Sequence, residues 1–112
     1  MAAEILKEDR HRHLPMDRDE AITCLRKHET ELKALGVHHL YLFGSTARGD
    51  ARPDSDVDLF FDHPEGSLGL YELMDVKERT AEILGCRTDI MTRRSLHRIL
   101  RPGIEALALL IF

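Results

Sequence analysis

The chain has 112 residues, of which 43% are apolar and 32% charged, and it carries a formal net charge of −4 at pH 7. These values are typical of one soluble globular domain, and the acidic balance argues against a nucleic-acid polymer as partner, because such binding depends on clustered Lys and Arg. The N-terminus has no signal-peptide core and the longest apolar stretch, residues 106–112, is too short to span a bilayer, so we expect a cytoplasmic protein with no membrane partner.

The spacing of apolar residues predicts a single α/β domain over residues 16–112, after a polar lead-in over residues 1–15. Asp17 and Glu20 form a capping box at the start of the first helix, and Gly36 and Gly85 are the expected stops of two helices. Ser45 is expected to cap a short helix. The predicted order is α-β-α-β-α-β-α, with helices over 18–35, 45–50, 69–84 and 104–112 and strands over 38–43, 57–62 and 87–92.

A pair of carboxylates follows the turn after the short helix. Alternate residues of a strand point to the same face, so Asp56 and Asp58 share one face while Val57 points into the core. Asp89 alternates with the apolar Ile90 in the third strand, and it would join the pair if the two strands are neighbours. Three carboxylates in this arrangement favour Mg²⁺, and they suffice for the two ions that assist displacement at phosphorus.

The other half of the site comes from the end of the first strand. Gly44 allows a ligand to approach the backbone closely, and the helix start after it offers free N–H groups to a phosphate. Ser45 can add a hydroxyl group, and Arg48 lies one helical turn further, within reach of a triphosphate. The pattern therefore predicts a phosphate site next to the metal site.

Together these residues resemble the nucleotidyltransferase domain of the DNA polymerase beta superfamily. The resemblance rests on Gly44-Ser45, the ten residues that separate it from Asp56-Val57-Asp58, and Asp89 on a later strand. Within the superfamily, the stretch from Gly44 to Leu59 is similar to the minimal nucleotidyltransferases of prokaryotes. The resemblance implies a small mixed β-sheet with flanking helices.

The resemblance also implies a reaction, the transfer of AMP from ATP with release of pyrophosphate. Asp56 and Asp58 would bind both metal ions, Asp89 would hold the catalytic ion and accept the proton of the attacking hydroxyl, and Gly44 and Ser45 would hold the β- and γ-phosphates. Positioning and charge neutralisation would supply most of the catalysis.

The acceptor of the nucleotide is open at this point. Minimal members of the family typically accompany a HEPN-type toxin, so the first hypothesis is an antitoxin that adenylylates a hydroxyl, that of a tyrosine, of that toxin. The second is an antitoxin that neutralises the toxin by binding alone. Its docking surface would be the apolar C-terminal face of Ile104, Leu107, Leu110, Ile111 and Phe112, although this face is expected to pack on the sheet.

A third hypothesis is nucleotidylation of a small hydroxylated molecule such as an aminoglycoside, by a homodimer whose second subunit completes the cleft. Four residues are candidates for contact with that acceptor or with phosphate: His38, His39, Arg93 and Arg94.

Overall fold

Helices and strands alternate along a computed structural model that describes residues 16–64, 66 and 68–112, so the predicted lead-in lies outside the described residues. Six helical segments and four strands make up this part: α1 (Arg18–Arg26), α2 (Glu29–Ala34), β1 (His39–Phe43), α3 (Gly44–Arg48), β2 (Val57–Asp62), α4 (Leu70–Leu84), β3 (Thr88–Thr92), a 3-10 turn (Arg93–Ser95), α5 (Arg101–Leu107) and β4 (Leu109–Leu110). Across the described ranges, no helix is long and apolar enough to cross a membrane.

The four strands form one mixed sheet in the order β3-β2-β1-β4. β1 pairs antiparallel with β2 and with β4, whereas β2 and β3 run parallel. The C-terminal end of β1 therefore lies beside the N-terminal ends of β2 and β3. In register terms, Phe43 is opposite Asp58, and Asp58 is opposite Asp89. This confirms the predicted mixed sheet with flanking helices, and it brings the two predicted half-sites to one edge.

The two faces of the sheet have different roles. Val57, Leu59 and Phe61 of β2 are buried in the main core, together with Leu40 and Leu42 of β1 and apolar residues of α1 and α4. The alternate residues of β2, which include Asp58 and Phe60, lie on the opposite face. Phe60 is fully buried there between the rings of Tyr41 and Phe43, with centroid distances of 4.7 and 5.6 Å. The alternation of β2 thus assigns one face to the core and the other to the predicted site.

The prediction of one helix over residues 18–35 is wrong, because the helix breaks after Arg26 and restarts at Glu29. At the break, Nδ1 of His28 donates to the carbonyl of Cys24, at 2.8 Å, and so satisfies a carbonyl at the end of α1. Apolar periodicity continues across the turn, since Leu25 and Leu32 are both fully buried, and this hides the break in the sequence. Asp17 does cap α1, accepting from the backbone N–H groups of Asp19 and Glu20.

The predicted final helix over residues 104–112 is also wrong. α5 begins at Arg101 and accommodates Pro102 in its first turn, where a missing N–H costs nothing. It ends at Leu107, and β4 then pairs with Tyr41 and Leu42 as an edge strand of the sheet. The pairing continues beyond β4, since the N–H of Ile111 donates to the carbonyl of Leu40 at 2.8 Å. A short apolar run does not distinguish a strand from a helix, and here cross-strand pairing decides for a strand.

The C-terminal segment does not present a continuous apolar surface. Ile111 is buried in the core, and Phe112 is partly buried against it. Leu107 and Leu110 are exposed. Nε of Arg26 also donates to the carbonyl of Ile111, at 2.9 Å, and so ties this segment to α1. The expectation that the face packs on the sheet therefore holds for the last two residues and fails for the two leucines.

Candidate active site

Gly44 makes the transition from β1 to α3 possible. β1 remains paired as far as Phe43, and α3 starts at the next residue, so the backbone must change from extended to helical within one residue. Gly44 does this with a φ of 76°, in the left-handed region that favours glycine. Because the helix starts directly at Gly44, the N-cap position is Phe43 and Ser45 lies inside the first turn. The prediction of Ser45 as the N-cap is therefore wrong, although Ser45 remains at the helix start.

Gly44 also lies directly against Asp58. A Cβ atom built on Gly44 would meet Oδ2 of Asp58 at 2.2 Å and its Cγ at 3.0 Å. The sequence predicted that this glycine permits a close approach. In the structure, the group that approaches is a carboxylate of the site itself. Because Gly44 has no side chain, the carboxylate of Asp58 can occupy the space beside it.

Asp58 is the electrostatic centre of the predicted triad. Burial raises the pKa of its carboxyl group, and the negative charges of Asp89 and then Asp56 raise it further, while Arg48 acts in the opposite direction. Asp89 is the partner of Asp58 across the parallel pair β2–β3, and it is exposed. A divalent cation would stabilise the ionised form of Asp58 against burial and the neighbouring negative charges, so Asp58 and Asp89 fit a hard cation such as Mg²⁺.

Asp56 lies just before β2, and its side chain is held differently. Nε of Arg87 donates to its Oδ1 at 2.8 Å, and the two side chains form an exposed ion pair. Within the described part of the chain, no three His, Cys, Asp or Glu side chains are already grouped as a metal site. The fold therefore brings Asp58 and Asp89 together, with Asp56 close enough to affect Asp58, and Asp56 would have to exchange Arg87 for a metal ion.

A cleft of about 530 Å³ opens beside Asp58. One wall is the strand-to-helix junction, and the other is α5 with the residue before it. The residues that line the cleft are Phe43, Gly44, Ser45, Ala47, Arg48, Asp58, Leu100, Gly103, Ile104 and Leu107. The predicted phosphate-binding residues Gly44, Ser45 and Arg48 thus share one cleft with a predicted metal ligand. Arg48 currently pairs with Asp50, with Nε 3.2 Å from Oδ2.

Sequence reasoning missed the contribution of α5 to this cleft. It placed a helix over residues 104–112, whereas the cleft residues Leu100 and Gly103 precede that range. Pro102 was the available signal, because proline is favoured in the first turn of a helix and so indicates a start near Arg101. Of the four candidate acceptor contacts, Arg93 is engaged in ion pairs with Asp62 and Glu105.

Comparisons with known proteins identify the family of the chain. Residues 25–109 match the family model described as a nucleotidyltransferase domain. The chain is 35% identical over 79 residues to the protein adenylyltransferase MntA of Thermococcus cleftensis, an alignment that covers 70% of this chain and 79% of the relative.

Solved structures show the same fold. A candidate minimal nucleotidyltransferase superposes with a TM-score of 0.70 at 36% identity, covering 84% of this chain and 95% of that one. The MNT antitoxin complex with the tri-AMPylated HEPN toxin of Shewanella oneidensis gives a TM-score of 0.56 at 17% identity, covering 78% of this chain and 68% of that one, which is a likeness of fold. The chain thus belongs to the nucleotidyltransferase-domain family, as one of its minimal nucleotidyltransferases.

Proposed function

We propose that this nucleotidyltransferase transfers AMP from ATP to a hydroxyl group, most simply a tyrosine, of a partner HEPN-type toxin and thereby acts as its antitoxin. One observation carries the donor half of the proposal. Asp58 and Asp89 are in register on neighbouring strands, and Asp58 lies against Gly44 in a cleft that Ser45 and Arg48 also line. Carboxylates and phosphate-binding groups thus converge on one space large enough for a nucleotide.

Asp58, Asp89 and Asp56 would hold two Mg²⁺ ions, whose contribution when bound is to neutralise charge on the phosphates. In the transfer, the acceptor oxygen attacks the α-phosphorus of ATP, the bond from that phosphorus to the bridging oxygen breaks, and pyrophosphate leaves. Asp89 is exposed and so accessible to an acceptor. We assign to it the acceptance of the hydroxyl proton.

The two walls of the cleft offer different chemistry to the nucleotide. Gly44, Ser45 and Arg48 provide backbone N–H groups, a hydroxyl and a guanidinium on the wall that would face the phosphates. Ile104 and Leu107 provide an apolar surface on the opposite wall, where a base can stack without specific hydrogen bonds. Arg48 would exchange its exposed partner Asp50 for a phosphate oxygen, at little cost because exposed ion pairs contribute little stability.

A protein acceptor is supported by the 35% identity to a relative named as a protein adenylyltransferase. The surface around the mouth of the cleft is compatible with this, because Leu100 and Leu107 are exposed there. The same fold occurs in the MNT antitoxin of the complex with a tri-AMPylated HEPN toxin, so the fold is compatible with the antitoxin role.

The experiment is to incubate the protein with a HEPN-type toxin as acceptor, Mg²⁺ and ATP labelled at the α-phosphate. We expect label on the toxin, no label when Phe replaces the modified tyrosine, and no label with the double variant Asp58→Asn/Asp89→Asn. In cells, the same double variant should fail to relieve toxicity.

Two results would contradict the proposal in distinguishable ways. If the double variant protects cells as well as the wild type and the toxin stays unlabelled, the protein neutralises by binding alone. If label appears on an aminoglycoside in the absence of a partner protein, the acceptor is a small molecule and the homodimer hypothesis becomes the one to test.

A further inference from the structure

α5 forms one wall of the cleft, yet its own packing is slight. None of the seven residues Arg101–Leu107 is buried. At its first residue, Nη2 of Arg101 donates to the carbonyls of Arg94 and Leu96, at 3.0 and 3.4 Å. Helices are normally held by a buried apolar face, so the position of α5 depends to an unusual degree on polar contacts.

The contact in the middle of α5 is an ion pair between Glu105 and Arg93. Arg93 follows β3 directly, and its guanidinium also makes a bidentate pair with Asp62 at the end of β2, with Nε–Oδ1 and Nη2–Oδ2 distances of 2.6 and 3.0 Å. The three side chains are only 30–32% exposed. Charge-assisted bonds of this kind are stronger and more directional than an exposed ion pair. Arg93 thus joins α5 to the sheet.

Arg93 is itself held by aromatic rings. Its guanidinium carbon lies 4.9 Å from the ring centroid of Tyr41 and 5.0 Å from that of Phe60. Phe60 in turn contacts Phe43, which lines the cleft immediately before Gly44. The guanidinium is therefore fixed on the sheet side by Asp62 and two rings, and one of its nitrogens reaches out to α5.

Arg93 thus connects the elements that form the two walls of the cleft. Glu105 is the direct neighbour of Ile104 and lies two residues before Leu107, and both of these line the cleft. On the sheet side, Asp62 and Asp58 belong to the same strand, with the buried Phe60 between them. A change in the Arg93–Glu105 contact would therefore move Ile104 and Leu107 relative to Gly44 and Asp58 without touching any of these residues.

We propose that Arg93 and Glu105 are positioning residues that hold α5 at the distance from the sheet that nucleotide binding requires. The inference rests on the proposed function, because it takes the cleft as the nucleotide site. Without the ion pair, α5 would sample positions in which the cleft is too open to bind nucleotide. The apparent affinity would fall in proportion to the remaining competent fraction.

The variant Glu105→Gln tests this, because it removes the charge on α5 and leaves the bidentate Arg93–Asp62 pair in place. Glu31→Gln is the matched control, since Glu31 makes a comparable bidentate ion pair with Arg79 between α2 and α4, and neither residue lines the cleft. The probe is mant-ATP with Mg²⁺, followed by fluorescence. Hydrogen–deuterium exchange over residues 101–107 reports on α5 directly, and a denaturant titration reports on global stability.

We expect Glu105→Gln to raise the dissociation constant of mant-ATP by about fivefold. This is the factor that results if about one fifth of the molecules hold α5 in the position that binds nucleotide. Exchange in α5 should become faster, and in the transfer reaction KM for ATP should rise while kcat changes little. Arg93→Lys, which keeps the charge but cannot make the same three bonds, should act in the same direction. Glu31→Gln should leave the affinity within about twofold of the wild type.

Unchanged affinity in Glu105→Gln would overturn the inference, and so would an equal loss in Glu31→Gln, because the effect would then follow general stability. Failure of the wild type to bind mant-ATP is a different result. It would overturn the proposed function and the inference with it. If Arg93→Lys does not fold, Glu105→Gln still decides the question, since it leaves the sheet side of the network intact.

Discussion

The substitution Gly44→Ala should separate the two demands that the site makes on this position. The first is conformational, because the φ of 76° is unfavourable for alanine by about 1–2 kcal/mol. The second is steric, because the new Cβ would meet Oδ2 of Asp58 at 2.2 Å. Relief of that contact requires the carboxylate to move, and with it a predicted metal ligand.

Gly49→Ala is the control that isolates the steric part. Gly49 has a φ of 83°, so alanine should incur a similar conformational penalty, but a Cβ there meets nothing within 4 Å. Both variants should therefore lose about 1–2 kcal/mol of unfolding free energy, or roughly 5–10 °C in melting temperature for a domain of this size. Gly44→Ala should lose more than Gly49→Ala.

The assays are a denaturant titration for stability, Mn²⁺ binding for the metal site and AMP transfer for activity. A ligand displaced by about 1 Å can cost 10²-fold in rate, so we expect a loss of at least about that size in Gly44→Ala and near wild-type activity in Gly49→Ala. Equal activity and Mn²⁺ affinity in the two variants would refute the argument, because the contact with Asp58 is the feature that distinguishes them.

Three further predictions concern charged groups. Asp58→Asn should abolish transfer and raise the melting temperature by a few degrees at neutral pH. Burial raises the pKa of Asp58, and the negative charges of Asp89 and Asp56 raise it further, so an ionised Asp58 lowers the stability of the folded protein at pH values above that pKa. The stability advantage of the variant should therefore vanish below pH 3.8. The pKa of Asp62 changes in the opposite direction, because hydrogen bonds from Arg93 lower it. Ionised Asp62 therefore contributes stability above pH 3.8, and this contribution is lost as the pH falls through the lower folded pKa. Asp62→Asn should lower the unfolding free energy by about 1–2 kcal/mol at neutral pH, and its melting temperature should depend less on pH in acid than that of the wild type. Arg87→Gln should increase the affinity for Mn²⁺, measured by calorimetry, because it frees Asp56 from its ion pair; unchanged affinity would mean that Asp56 does not bind the metal.

Local patterns were sufficient to predict the elements that carry most of the site. β2 has the predicted bounds Val57–Asp62, because alternation of polar and apolar residues is a strong strand signal. α4 ends at Leu84 with Gly85 in the left-handed conformation, as expected of a glycine after a helix. These elements are specified by their own residues, so one sequence was enough.

The features that the sequence did not predict depend on partners distant in the chain. β4 is a strand because β1 offers it a free edge. Arg93 pairs with Asp62, 31 residues earlier, and with Glu105, 12 residues later. Arg87 likewise pairs with Asp56 at a separation of 31 residues. Pattern and propensity carry no information on such pairs. The Arg87–Asp56 and Arg93–Asp62 pairs follow from the register of β2 with β3, and the Arg93–Glu105 pair follows from the placement of α5.

The alternation of side chains along β2 explains why stability and chemistry coexist on so small a domain. Val57, Leu59 and Phe61 secure β2 in the core, so the position of Asp58 on the other face is fixed by contacts that do not involve the site. A substitution of Phe61 should therefore lower the stability of the protein without a specific effect on nucleotide affinity. A substitution of Glu105 should lower nucleotide affinity with little loss of stability. The period of two along one strand is what makes the two effects separable.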